Sequence, residues 1–239
     1  LKNAQTLKDG SKMEDEYPLV SAIMLAGKSN ITDILCAIQC FNKQSYPYKE
    51  LIIINNAKTQ FEASSLELDA NENVFIIDTP TELTAGMARN YGIKAASGRI
   101  LAQFDSDYWH SPDRLSTQIS AMVNNESHIC MLSDALSFSY LSGIATIISN
   151  EKSAILGTMV YIRPQNIDYP PYNKYEEFGI LSKMIESGMK PISINNPDLC
   201  CKLITSDAHE DMINNGLNDD QLSLVKSIVE ERSMISANM

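Results

Sequence analysis

The sequence predicts an α/β fold with a mostly parallel, mixed central sheet flanked by helices. Three observations carry that expectation. Short apolar runs alternate with amphipathic ones from Leu19 onward. The short runs are apolar on both faces, as strands are when helices cover both sides of a parallel sheet. The connections are short, which with right-handed crossovers leaves few ways to wind the chain.

Taken in order, LVSAIML (Leu19–Leu25) reads as a buried strand. Asn30 followed by Asp33 is an N-terminal helix signature for a helix running to about Asn42, with Ile34, Leu35, Ile38 and Phe41 on one face. SYPYKE breaks the pattern, and Leu51–Ile54 (LIII) is a second strand. A polar helix is expected next, then Val74–Ile77 (VFII) as a third strand. Thr84 to Ser97 reads as a helix with Gly98 as its left-handed stop. Its small residues Ala88, Gly92, Ala95 and Ala96 allow a close approach to the sheet. Arg99–Phe104 (RILAQF) is the fourth strand and runs into Asp105-Ser106-Asp107. Ser111 is expected to cap the next helix, with Pro112 at its first position and Asp113 in its first turn. Beyond Asn125, HICML, GIATIIS and GTMVYIR read as strands of a mixed sheet. A helix from about Tyr175 to Ser187 stops at Gly188, Ile192–Ile194 is a strand, and Asp219-Asp220 open a last helix striped by Leu222, Leu224, Val225, Ile228 and Val229.

The chain of 239 residues is 44% hydrophobic and 21% charged, a composition that supports a sizeable core. Its net charge of −11 argues against non-specific nucleic-acid binding, which needs a basic surface. No apolar run approaches the ~18 residues that span a bilayer. The head, LKNAQTLKDGSKMEDE, lacks the apolar stretch of a secretory signal. A start at Leu1 leaves open an excised domain with an anchor elsewhere. The five cysteines include no CxxC pair, so they read as packed free thiols of a reducing compartment, the cytoplasm or the cytoplasmic face of a membrane.

Ligands of such sheets bind beyond the C-terminal strand edges, where Leu25–Lys28, Asn55–Lys58 and Asp105–Asp107 all fall. Two carboxylates one residue apart at a strand end can aim at one ligand zone. Their hard oxygens suit Mg²⁺ or Mn²⁺, which in turn bridges diphosphate oxygens. The single Gly27-Lys28 is too thin for a nucleotidyltransferase phosphate loop, and no GxGxxG follows the first strand to bind a dinucleotide.

The blocks QSYPYKELIII, ARNYGIKAASGRILAQFDSD followed by W-x-x-P-D-R-L, and GTMVYIR…YEEFGILSKMIESG, in that order, resemble the family 2 glycosyltransferases of GT-A fold. The resemblance covers roughly Pro18 to Ile204. It implies a polar extension over residues 1–17 and one GT-A domain over 18–239. Within that domain it implies a donor-binding half (18–125), an acceptor half (126–215) and a C-terminal helix (216–239).

The implied chemistry is inverting, metal-dependent transfer of a sugar from a nucleotide-sugar donor, UDP-linked by preference, to the hydroxyl of a glycan or lipid-linked acceptor. By position, Asp105 and Asp107 match the family's DxD: Asp105 near the ribose or metal, Asp107 on the metal, Mn²⁺ or Mg²⁺. Arg89 and Asn90 match the ARN segment beside the donor. Glu177, second of an acidic pair with Glu176, falls where the family has its catalytic base. Ala26 and Gly27 replace part of the usual P-T-Y-N, and Asn55-Asn56 replace two aspartates; both segments line the base and ribose pocket in the family. His209 is a looser match to a late histidine near the metal, since the usual Tyr-Arg-x-His falls at Cys201-Lys202-Leu203-Ile204. These departures leave an alternative, a glycosyltransferase-like domain that no longer catalyses and serves as a binding module of a larger protein.

Overall fold

The computed structural model describes residues 17–26, 30–56, 73–149, 154–204 and 213–237. Gly27, His209 and the polar helix expected after the second strand therefore lie outside the described residues. The main sheet has seven strands: β1 (Val20–Leu25), β2 (Lys49–Asn55), β3 (Val74–Asp78), β4 (Ile100–Gln103), β6 (Ile129–Leu132), β9 (Ile155–Ile162) and β10 (Pro191–Ile194). Their order is β10-β6-β9-β4-β1-β2-β3. Strands β4, β1, β2 and β3 are parallel, and β9 runs antiparallel between β4 and β6. Among the described residues no helix is long and apolar enough to cross a membrane.

The strand alternation sorts the core into two faces. Ala22, Met24, Leu51 and Ile53 turn to one side and meet Ile34, Ala37, Ile38 and Phe41 of helix α1 (Ile31–Asn42). Ile23, Ile52, Ile54 and Leu101 turn to the other and meet Ala88 of α2 (Ala85–Ala95) with Ile180 and Met184 of α4 (Glu176–Glu186). Helix α3 (Arg114–Asn124) covers Ile100, Ala102 and Val160 through Leu115, Ile119 and Met122. Each apolar side chain of this size, fully buried, contributes about 1.5–3 kcal/mol.

Asn30 caps α1 as expected, its Oδ1 accepting from the Asp33 N–H at 2.9 Å. Two other helix ends depart from expectation. Gly98 is not a left-handed stop. The last carbonyls of α2 are instead satisfied by Arg163, which donates to Ile93, Ala96 and Gly98 oxygens at 3.2, 2.7 and 3.0 Å. Glu50 Oε1 accepts from the Ser97 N–H at 2.6 Å. Gly98 is needed for close approach: a Cβ there would lie 2.6 Å from the Leu19 carbonyl oxygen and 2.7 Å from the Ser21 nitrogen. Nor does Ser111 cap α3, which starts at Arg114 after a turn through Pro112 and Asp113. Gln44 supplies the cap from afar, accepting from the Leu115 N–H at 3.1 Å and donating to the Ser111 carbonyl at 2.6 Å.

A second sheet, ordered β12-β8-β7-β11-β5, contains β5 (Tyr108–His110), β7 (Asp134–Ser139), β8 (Ile144–Ser149), β11 (Cys200–Ile204) and β12 (Ile213–Asn215). Only β8 of these was expected. The others are short, and pairing rather than local pattern defines them. Helix α5 (Asp219–Ala237) buries Val225 and Ile228 and ties back to α1 through Arg232, which donates to Asp33 at 2.6 and 3.0 Å.

Replacing Gly98 by alanine forces the chain before β1 away from the end of α2. We expect a loss of about 1–3 kcal/mol, read as a lower urea midpoint at unchanged slope.

Candidate active site

Strands β1, β2 and β4 end together, so the chain after each starts from one edge of the sheet. Phe104 continues β4 by donating its N–H to the Ile23 carbonyl at 2.9 Å, and Asp105 follows. The Asp105–Asp107 turn is fixed from beneath by a buried polar relay. Arg114, fully buried, donates to the Gln103 and Thr158 carbonyls (2.8 and 3.0 Å), to Gln118 Oε1 (3.0 Å) and to His110 Nδ1 (2.8 Å). A guanidinium can only donate, so Nδ1 must accept and the proton of the imidazole sits on Nε2. That N–H faces the Asp105 carbonyl at 3.2 Å. Burial, reinforced by the charge of Arg114, pushes the His110 pKa well down, so the ring is neutral.

Above the turn lies Arg89, on the second turn of α2 and 5% exposed. Its guanidinium pairs with both oxygens of Asp105 (3.2 and 2.9 Å), with Glu177 Oε1 (3.0 Å) and, at 3.6 Å, with Glu176 Oε1. Burial works against the charge of Arg89, but the carboxylates of Asp105 and Glu177 more than offset it and hold its pKa above the ordinary value.

Close packing brings α4 to this point. A Cβ on Gly86 would lie 1.9 Å from the Pro170 carbonyl oxygen, and one on Gly179 would lie 2.6 Å from Pro170 Cγ, so Pro170 is wedged between α2 and α4. Asn90 clamps the same loop, accepting from the Tyr169 N–H at 2.8 Å and donating to the Tyr169 carbonyl at 2.9 Å. Gln103 completes the wall. With its amide oriented to satisfy both ends, it donates to Glu177 Oε1 and the Leu156 carbonyl, both at 2.9 Å, and accepts from the Tyr169 hydroxyl at 2.8 Å.

Two acids are perturbed. Burial raises the Glu177 pKa to about 7; Arg89 opposes the rise, and the charges of Asp105 and Glu176 add to it. Asp107 is raised by burial and by the charge of Asp105, with Lys202 and Arg89 opposing. Among the described residues Asp107 has no ion-pair partner within 4.0 Å, whereas Asp105 is engaged on both oxygens. No three His, Cys, Asp or Glu side chains of the described residues converge as a metal cage.

The structure thus joins Arg89, Asp105, Asp107 and Glu177 in one cluster. It sets Asn55 and Asn56 apart at the end of β2, where Asn55 donates to Asp78 Oδ1 at 2.7 Å. Asn56 clamps Leu83, donating to its carbonyl at 2.7 Å and accepting from its N–H at 2.8 Å. Asn90 faces the Tyr169 backbone, and Ala26 is fully buried at the end of β1. The sequence reading named Glu176 only as the partner of Glu177 in the acidic pair, and it missed Gln103, His110, Arg114 and Lys202 as parts of this cluster. The acidic run YEEF was the one local signal, and it served only for Glu177.

These features define a GT-A-type fold with a carboxylate-rich site at the C-terminal strand edge. The mannosyltransferase PcManGT from Pyrobaculum calidifontis, solved with GDP-Man and Mn²⁺, superposes with a TM-score of 0.59 at 14% identity over 78% of this chain and 56% of that one. TarS 1-349 of S. aureus, solved with UDP-GlcNAc, gives a TM-score of 0.58 at 15% identity over 89% of this chain and 66% of that one. Residues 30–140 match the family model described as glycosyl transferase family 2. A Haemophilus influenzae protein named an uncharacterized glycosyltransferase is 28% identical over 173 residues, 71% of this chain and 62% of its own length. The Escherichia coli UDP-Glc:alpha-D-GlcNAc-diphosphoundecaprenol beta-1,3-glucosyltransferase WfgD is 28% identical over 172 residues, 72% of this chain and 61% of its own. The chain therefore spans about three fifths of the curated relatives it matches.

A carboxyl whose pKa rises on folding favours the fold while protonated and penalises it once ionised. For Glu177 the stabilisation is complete below about 4.5 and lost as pH rises through about 7. Gln at 177 keeps an oxygen for Arg89 and Gln103 but cannot ionise. Urea titrations of Glu177→Gln should therefore show a shallower fall in stability between pH 4.5 and 7 than the wild type. Parallel curves for the two proteins would contradict the raised pKa.

Proposed function

We propose that the chain is an inverting, metal-dependent glycosyltransferase that takes a nucleotide sugar, UDP-linked, and transfers the sugar to a hydroxyl of a glycan or lipid-linked acceptor. The observation that carries this reading is the shared guanidinium of Arg89, which holds Glu177 and the first carboxylate of the DxD pair in one cluster. The UDP preference draws on the UDP-Glc of the E. coli relative's name and the UDP-GlcNAc bound in the TarS structure. The lipid-linked acceptor draws on the same E. coli name.

The chemistry needs few groups. The acceptor oxygen attacks the anomeric carbon from the face opposite the diphosphate, its O–H proton passes to Glu177, and the electron pair of the broken C–O bond leaves on the diphosphate. Arg89 and Gln103 both bond Oε1, which fixes the carboxyl and leaves Oε2 for the proton. A pKa near 7 suits a base that must be partly ionised and still accept a proton.

Asp107 fits a divalent cation: it is a hard oxygen donor, partly desolvated, repelled by Asp105 and, among the described residues, without an ion-pair partner. Cations of the Mg²⁺ type take one or two carboxylates and complete their shell with water and substrate phosphates, so two aspartates suffice. Such a cation neutralises charge on the diphosphate when bound. His209 as a further ligand belongs to the same proposal.

The acceptor side we assign to residues 126–215, where Tyr172, Tyr175 and Phe178 flank Glu177 and are 57%, 80% and 62% exposed. Tyr175 also holds a left-handed φ of 65°, a strained conformation for an aromatic residue. Exposed aromatic faces of this kind stack on sugar rings. The free thiols of all five cysteines suit a reducing, cytoplasmic setting. With the carboxylate cluster assembled, no observation favours the inactive-module alternative.

Calorimetric titration of UDP should show tighter binding with Mn²⁺ than without, and Asp107→Ala should abolish that difference. Indifference to metal in the wild type would count against the reading. Glu177→Gln should bind donor normally while transfer falls about 10²–10⁴-fold. Full transfer by that variant removes Glu177 from the mechanism.

A further inference from the structure

At the end of the sheet opposite the carboxylate cluster lies a cavity of about 700 Å³, where β4 and β6 begin and β9 ends. A space of that size suits a small-molecule ligand. Its floor is apolar, with Ile100 and Ile162 from the sheet and Ile119 and Met122 from α3. The rings of Tyr17 and Tyr46, edge to face at 5.8 Å, close one side. Polar groups gather along another. Arg99 and His128 flank the end of β9: the Arg163 N–H donates to the Arg99 carbonyl at 2.8 Å, and the Ile162 N–H to the His128 carbonyl at 2.9 Å. Strand spacing puts their backbones about 10 Å apart, near enough for both side chains to meet one small group.

These groups are uncommitted. Among the described residues the Arg99 guanidinium has no hydrogen bond or ion pair. His128 Nδ1 accepts from the Lys190 N–H at 3.1 Å, so the ring proton sits on Nε2 as a spare donor. Ser127, 7% exposed, lines the same cavity, and its Oγ has no hydrogen-bond partner among the described residues. An orphaned buried hydroxyl is uncommon in a folded protein and calls for a cause. The turn that delivers Ser127 and His128 is itself strained. Glu126 holds a left-handed φ of 49° where helices ordinarily use glycine, and the Ser127 N–H closes back on the Met122 carbonyl at 2.9 Å. Glu126 is the one acid among the described lining residues, and it is exposed at the rim, where solvent screens it. We propose that this cavity binds a small amphiphile with an apolar body and a single anionic head, carboxylate or phosphate monoester. The body lies against Ile119 and Met122, and the head takes hydrogen bonds from Arg99, His128 Nε2 and the Ser127 hydroxyl. The planar fork of arginine meets either head in bidentate fashion. The residues of the carboxylate cluster take no part.

The test is calorimetric titration of octyl phosphate, octanoate, octanol and octyltrimethylammonium, each below its aggregation threshold, into the wild type, Arg99→Gln and Ser120→Trp. Both anions should bind about 10-fold or more tightly than the alcohol, and the cation more weakly than the alcohol. The tighter anion identifies the head as phosphate ester or carboxylate. Arg99→Gln should bring the anions to within about threefold of the alcohol and leave the alcohol unchanged. Ser120 is an exposed residue of α3 at the cavity, so an indole there is compatible with folding and should weaken alcohol and anions alike. Saturating UDP with Mn²⁺ should change none of these affinities. A wild type that binds no probe, or binds all four equally, overturns the proposal. So does anion binding that survives intact in Arg99→Gln or in Ser120→Trp. Displacement of the anions by UDP overturns it too, since it puts them at the catalytic edge.

Discussion

The site depends on one buried guanidinium. Arg89 is inserted among three carboxylates that come from different parts of the chain: Asp105 after β4, and Glu176 and Glu177 at the start of α4. Bringing that much charge out of water costs several kcal/mol per ion, repaid only by good geometry and further hydrogen bonds. The planar fork of arginine meets both oxygens of Asp105 and still has an edge for the glutamates, which the single ammonium of a lysine cannot do. The surrounding structure serves that geometry. Pro170 wedged against Gly86 and Gly179, and the Asn90 clamp on Tyr169, bring the first turn of α4 to the guanidinium.

How far the sequence foretold this follows from where the determining interactions lie. The β1 to β4 half was legible because parallel strands are apolar on both faces and the cap of α1 is local, from Asn30 to Asp33. The ends of α2 and α3 were misread because their caps come from distant residues, Arg163 and Glu50 for one and Gln44 for the other. Strands β5, β7, β11 and β12 were missed because three to six residues carry little periodicity and pairing alone defines them.

The site divides in the same way. Asp105, Asp107 and Glu177 were named by resemblance, and the structure puts them around one cluster with Arg89. Asn56 and Asn90 have the polar chemistry to hold a nucleotide, yet the structure spends their amides on the backbones of Leu83 and Tyr169. Gln103, His110, Arg114 and Lys202 join the cluster through sheet register and burial, which no local spacing encodes. Arg114 shows this most clearly, since full burial and its bonds to the carbonyls of Gln103 and Thr158, on two different strands, aim it at His110.

The electrostatic balance at Glu177 explains why so many groups converge. Burial alone pushes a carboxyl up, and a dedicated arginine alone would hold it down and ionised. Here Arg89 is shared with Asp105 and Glu176, whose own charges push Glu177 up again, and the balance settles at a pKa of about 7. The partition also separates duties among the cations. Arg114 fixes the backbone of the Asp105 turn, and Arg89 fixes the carboxyl groups. A diphosphate entering such a site meets acids before bases unless some positive charge is left uncommitted. Asp107, which has no ion-pair partner among the described residues, is the acid of the cluster that neither arginine pairs with.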